Sequence, residues 1–303
     1  MQYGDIRRDL ESMLPGRSAE EGKDSRRGML RMALGIGAGL GYAAAAGPVM
    51  AQTAIATPAD GLAAGRIHYE VGGFAVPAYH AMPDKKADLP VVLVVSEIFG
   101  VHEYIADVCR RLARAGYLAI APDLFARQGD PASYTEMARL MSEVVARVPD
   151  AQAMADLDGA VQWAAAHGGD GARLGITGFC WGGRITWLYA AHGAARAGVA
   201  WYGRLEGEKT ALQPAHPVDL VPQLKAPVLG LYGGQDGGIP VASVERMRER
   251  LRHGPAAAKA SEFVIYPEAG HAFHADYRPS YREQAAQDGW QRMLAWLHRH
   301  GVS

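Results

Sequence analysis

From Leu89 to the C-terminus the chain alternates two apolar patterns, and that alternation limits the folds open to it. "LPVVLVVSE", starting at Leu89, is a continuous run rich in β-branched residues and reads as a strand buried on both faces. Next, Ile105, Val108, Cys109, Leu112 and Ala113 recur at helical spacing and form one apolar face. Gly116 ends this helix, and "YLAIAPD" follows as a second buried strand. Helical stretches are expected over 133–147 and 151–167, then a strand at "RLGITGF" and a helix over 181–192. "AGVAWYG", "APVLGLYGG" and "EFVIYPEAG" read as three further strands, with a helix over 240–253 between the last two. In the final helix Trp290, Met293, Leu294 and Leu297 share a face. This order predicts an α/β fold: a mostly parallel sheet with helices on both faces. Ahead of it, "RIHYEV" and "FAVPAYHAM", joined by Gly72-Gly73, predict an N-terminal β-hairpin.

The first fifty residues follow another logic. "DSRRGMLRMALGIGAGLGYAAAAGPVMAQ" carries the pair Arg26-Arg27, an apolar Gly/Ala-rich run from Met32 to Ala46, and small side chains at Val49 and Ala51. It resembles a twin-arginine (Tat) export signal. The run is short and glycine-rich for a membrane span, which takes about 20 residues, so no stable membrane anchor is expected. The stretch before Arg26 is long for a signal, and Met13 offers a later start. The organisation expected is a removable signal over 1–51, a small-residue linker over 52–65 and one domain over 66–303, in a periplasmic or secreted protein. A formal net charge of -1 over 303 residues gives no reason to expect a nucleic-acid partner.

In an open parallel sheet, ligands sit beyond the carboxyl ends of the strands. Four reactive side chains fall there: Glu97 after "VVLVVS", Cys180 after "LGITGF", Asp236 after "VLGLYGGQ" and His271 after "FVIYPEAG". Nucleophile, acid and histidine occur in the chain order of α/β-hydrolases. Gly178-Phe179-Cys180-Trp181-Gly182 fits the G-x-S-x-G nucleophile turn with cysteine in place of serine. The helix expected from Trp181 aims its N-terminal N–H groups at this turn, which favours a thiolate and a developing oxyanion. Cys109, on an apolar helix face, reads instead as a small core residue, and no disulfide between the two cysteines is expected. Asp236 and Glu97 each have a plainer reading as helix caps. The remaining histidines show no metal-ligand spacing.

The segments "SEIFGVHEYI", "LARAGYLAIAPDLFARQGD", "GITGFCWGGR", "VAWYGR", "LYGGQD" and "YPEAGHAF" together resemble the dienelactone hydrolase (carboxymethylenebutenolidase) family of α/β-hydrolases. The resemblance implies Cys180 as nucleophile, His271 as base and then acid, and Asp236 as the group orienting His271. It implies Glu97 as a fourth member that keeps the resting thiol neutral. It places the oxyanion hole at the Ile98 and Trp181 amides. It also implies two arginines on the substrate carboxylate. One of these positions is Ala275 here. Arg139 lies near the other by spacing, and Arg278 is the candidate to replace the missing group. Arg127 is expected to order a loop. Trp181, Trp201 and Tyr202 stand near strand ends, where they line the pocket or pack the core. His274 is expected either on substrate or at the surface.

The function expected is hydrolysis of a small-molecule ester or lactone through a cysteine acyl-enzyme, without metal or organic cofactor, by a monomer or small homo-oligomer. A thioesterase or other acyl hydrolase on the same triad, and a non-catalytic ligand-binding homologue, are the alternatives.

Overall fold

The computed structural model describes residues 55–303. The expected signal over 1–51 therefore lies outside the described residues, as do the first three residues of the expected linker. Eight strands form one sheet: β1 (Leu62–Val71), β2 (Phe74–Pro83), β3 (Leu89–Val95), β4 (Leu118–Pro122), β5 (Gly169–Phe179), β6 (Ala197–Trp201), β7 (Val228–Gly233) and β8 (Glu262–Tyr266). Their spatial order is β1-β2-β4-β3-β5-β6-β7-β8. The β1–β2 and β2–β4 pairs are antiparallel, and every later pair is parallel. The hairpin turn is Gly72-Gly73, with φ of +59° and +79°, the two left-handed positions that a tight two-residue turn requires.

The longer helices are α1 (Glu103–Arg114), α2 (Asp150–Ala166), α3 (Trp181–His192), α4 (Val241–Arg252) and α5 (Glu283–Arg299). All seven residues of β3 are buried, and their side chains divide between the two sheet faces. Val92 and Val94 pack in the cluster that holds Ile105 and Leu112 of α1 and Met293 and Leu297 of α5. Val91, Leu93 and Val95 pack with Leu157 of α2 and with Ile185 and Leu188 of α3. Helices on both faces are what keep the continuous apolar run of β3 out of water.

Three local expectations need correction. β1 begins at Leu62, inside the stretch read as linker, because Leu62–Gly65 pair with the end of β2. Those small residues carry no alternating pattern; the partner strand supplies the order. β5 begins at Gly169, and a register shift between Pro90 and Val91 accommodates its extra length. The helix expected over 133–147 is broken into a 3₁₀ turn (Pro131–Ser133), one α turn (Met137–Arg139), a π turn (Leu140–Val144) and a second 3₁₀ turn (Val145–Arg147). Leu140, Val144 and Val145 are buried within this stretch.

Residues 55–60 are bound to the domain. The Thr57 N–H donates to Asp107 Oδ1 (2.5 Å), and Arg110 Nε donates to the Thr57 carbonyl (2.8 Å). The Ile55 N–H donates to Asp276 Oδ2 (3.2 Å). Arg111 bridges the same two carboxylates, at 2.5 Å from Asp107 and 2.7 Å from Asp276. This network ties the start of the domain, α1 and the loop after β8 together. Among the described residues, no helix is long and apolar enough to cross a membrane.

Candidate active site

β5 ends at Phe179 and α3 begins at Trp181, so Cys180 alone makes the turn. Its backbone is at φ 56° and ψ -114°, a conformation that L-residues seldom adopt. The turn is held from several sides. The Cys180 N–H donates to the Trp201 carbonyl (3.0 Å), and the Cys180 carbonyl accepts from the Gly183 N–H (2.9 Å). A Cβ at Gly178 would fall 2.2 Å from the Gly182 carbonyl oxygen. One at Gly182 would fall 2.3 Å from the Val95 carbonyl oxygen. Only glycine allows α3 to come this close to β3 and β5. The Ile98 and Trp181 amides have no backbone acceptor among the described residues, as an oxyanion hole needs.

Asp236 follows β7 and His271 follows β8. His271 Nδ1 pairs with Asp236 Oδ2 at 2.7 Å. The other Asp236 oxygen accepts the N–H groups of Gly238 (2.9 Å) and Ile239 (3.1 Å), so the carboxylate is fixed through both oxygens. These bonds, and not capping of α4, are its role; the cap of α4 is Pro240. Burial alone would push the His271 imidazole down. The facing charges of Asp236 and Cys180, with the hydrogen bond to Asp236, outweigh it and hold His271 well above the usual histidine value. Its Nε2 is buried and has no hydrogen-bond partner of ordinary geometry among the described residues. Cys180 and Cys109 are both free and buried.

Glu97 is 1% exposed and makes no hydrogen bond to Cys180 among the described residues. The Tyr277 hydroxyl donates to Glu97 Oε2 (2.5 Å), and Arg278 Nη2 stands 3.7 Å from the same oxygen. A phenol hydroxyl and a cation therefore share one oxygen of the Glu97 carboxylate. Arg278 Nε donates to the Tyr277 hydroxyl (3.0 Å), and the guanidinium lies over Phe99, 4.8 Å from the ring centre. The Nη groups of Arg278 make no hydrogen bond among the described residues. Burial opposes its charge, but Glu97 and Tyr277 hold its pKa above the usual arginine value.

The other expected residues separate. Tyr202 ends β6 at φ 38°, is fully buried and stands edge-on to His271, with ring centres 5.2 Å apart. Trp181 packs on Phe125 at 4.7 Å, whereas Trp201 belongs to the core. His274 is not a surface residue. It is buried with Nδ1 2.6 Å from the Tyr104 hydroxyl, and its ring stacks on Phe179. Burial and the nearby Arg111 push it down to about 3. Arg139 is not brought to the triad: it is exposed, pairs with Glu143 at 2.9 Å and makes no contact with the four reactive side chains. Arg127 orders the hairpin, bonding Asp156 and donating to the Val71 carbonyl (3.1 Å).

Tyr277 and Tyr104 were not anticipated as site residues. Tyr277 sits beside Arg278 in "HADYRPSY", and that adjacency was the available signal. No group of three or more His, Cys, Asp or Glu is placed to hold a metal ion among the described residues.

The sequence profile described as "Dienelactone hydrolase family" matches residues 76–301. A Methylorubrum extorquens protein named "Putative carboxymethylenebutenolidase" is 59% identical over 281 residues, covering 92% of this chain and 94% of its own. A Bradyrhizobium protein named "Probable 2-oxo-3-(5-oxofuran-2-ylidene)propanoate lactonase" is 36% identical over 226 residues, covering 74% of this chain and 89% of its own. A crystal structure from Klebsiella pneumoniae, "Putative Dienelactone Hydrolase", superposes with a TM-score of 0.76 at 58% identity, over 78% of this chain and 99% of that one. The chain belongs to the dienelactone hydrolase family and is a lactone or ester hydrolase of that kind.

Proposed function

We propose that this protein, exported by a Tat-type signal, opens a carboxylate-bearing lactone or cleaves a related ester through a Cys180 acyl-enzyme. The observation that carries the reading is the Asp236–His271 pair at 2.7 Å, next to a cysteine alone on a strained turn. Asp236 fixes the imidazole so that Nε2 faces the thiol. The raised His271 favours the Cys180 proton on Nε2, and the thiolate of that pair attacks the carbonyl carbon. The oxyanion that forms is met by the Ile98 and Trp181 N–H groups. Collapse breaks the carbon–oxygen bond, and His271 gives its proton to the leaving oxygen. In a lactone that oxygen stays on the product as an alcohol or enol. Water then attacks the thioester, with His271 taking its proton. A second collapse frees the carboxylic acid and returns the thiol.

Arg278 suits the carboxylate of such a substrate. Its Nη groups are unbonded, and its long pairing to Glu97 leaves room for a second anion. The Bradyrhizobium relative's name, a lactonase of a 2-oxo acid, agrees with an anionic lactone here. The test is rapid quenching with a slow lactone followed by mass spectrometry. A substrate-sized adduct on the peptide bearing Cys180, labile to hydroxylamine, is expected. Steady turnover with no adduct, together with an active Cys180→Ala variant, refutes the reading.

A further inference from the structure

Beside Arg278 lies a polar atom that the mechanism above does not use. His102 precedes α1, and its ring stands edge-on to Tyr277, with centres 5.1 Å apart and planes at 78°. It also stacks on Tyr104 at 5.9 Å. These contacts place it at the Glu97–Tyr277–Arg278 corner, where the charges of Glu97 and Arg278 both act on it. Its Nε2 is buried and has no hydrogen-bond partner among the described residues. Buried polar atoms are almost always paired, so one left open next to a cation with free N–H groups points to a bound ligand atom. Burial pushes the imidazole below its usual value, the opposing pulls of Glu97 and Arg278 notwithstanding. At neutral pH His102 is therefore uncharged and presents a single N–H or a lone pair, which suits a neutral oxygen rather than a second carboxylate.

We propose that His102 hydrogen-bonds an oxygen on the carbon next to the substrate carboxylate, which makes lactones of 2-oxo acids the preferred class. The inference rests on the lactone reading above and narrows it. Arg278 takes the carboxylate, and His102 Nε2–H takes the adjacent keto oxygen. A substrate without that oxygen gives Nε2 no such bond.

The test compares 2-oxo-3-(5-oxofuran-2-ylidene)propanoate with its counterpart carrying CH₂ at the 2-position. Wild type should favour the 2-oxo lactone in kcat/KM by about tenfold or more, the order a single buried hydrogen bond supplies. His102→Phe keeps the aromatic packing and should remove that preference, mainly through KM, with the CH₂ substrate unchanged. His102→Gln, which keeps an N–H, should restore part of it. Equal losses on both substrates would make His102 a packing residue, and no loss on either would sever it from the substrate; both overturn the proposal. If wild type opens neither lactone, the lactone reading itself fails. Recognition is then read by alkylation: 2-oxoadipate should shield Cys180 from iodoacetamide at about tenfold lower concentration than adipate, in wild type only. Equal shielding would overturn the assignment.

Discussion

His271 Nδ1 and Asp236 Oδ2 are 2.7 Å apart, while the second oxygen of Asp236 is pinned by two backbone N–H groups. The carboxylate cannot rotate away, so the imidazole has one orientation and one tautomer. Asp236→Asn should lower kcat by about 10²–10⁴-fold with little change in KM. The charge of Asp236 raises His271, so the variant's His271 should titrate at lower pH by NMR. The sign for stability follows. A raised histidine contributes fully below its unfolded value of about 6.5 and loses that contribution as pH climbs through the folded value. Denaturation midpoints should fall over that window in wild type and less in the variant. An unshifted His271 titration would refute the pairing.

Cys180→Ala should abolish turnover while changing stability by only about 1 kcal/mol, since one sulfur is removed. Cys180→Ser should retain at most about a hundredth of the activity, because a hydroxyl is harder to deprotonate than a thiol. A serine variant equal to wild type would show that thiolate chemistry is not what the position is for.

Arg111 reaches two carboxylates, Asp107 and Asp276, whose side chains are each 2% exposed. Burial raises the Asp276 carboxyl, which Arg111 pulls back down. Arg111→Met leaves Asp276 without its cation and Asp107 with Arg110 alone, and should cost about 3–5 kcal/mol in urea denaturation. Adding Asp107→Asn and Asp276→Asn should recover part of the loss. Because the network holds the loop carrying Tyr277 and Arg278, KM should rise in the single variant. An unchanged midpoint would show that the carboxylates find other partners.

Changing Arg26 and Arg27 to lysine should leave the precursor in the cytoplasm, as fractionation and immunoblotting would report. An undiminished periplasmic pool would remove the export proposal.

The sheet was legible because β3, β4, β6 and β7 are apolar runs buried throughout, and such runs have few alternatives to burial in a parallel sheet. Cys180, Asp236 and His271 were legible because strand ends are where a buried sheet can expose reactive groups. What surrounds them was not. Arg111 and Asp276 are 165 residues apart, and nothing local marks them as partners. Tyr104 and Tyr277 look like ordinary aromatics until the fold sets them around Glu97. The pairing of Glu97 with Tyr277 was also hidden, because the two are 180 residues apart. Leu62–Gly65 escaped notice since small residues carry no period of their own.

The backbone at Cys180 has a further meaning for how this chain can change. At φ 56° and ψ -114° it is the mirror image of a common extended conformation, which suits a residue without a Cβ. Holding cysteine there costs about 1–3 kcal/mol, so glycine at 180 should yield a sturdier, inert protein. Any screen that rewards folding alone will drift towards that outcome. Retention of cysteine at this turn therefore has to come from selection on the reaction, and a sampled population of variants would register that pressure at one codon.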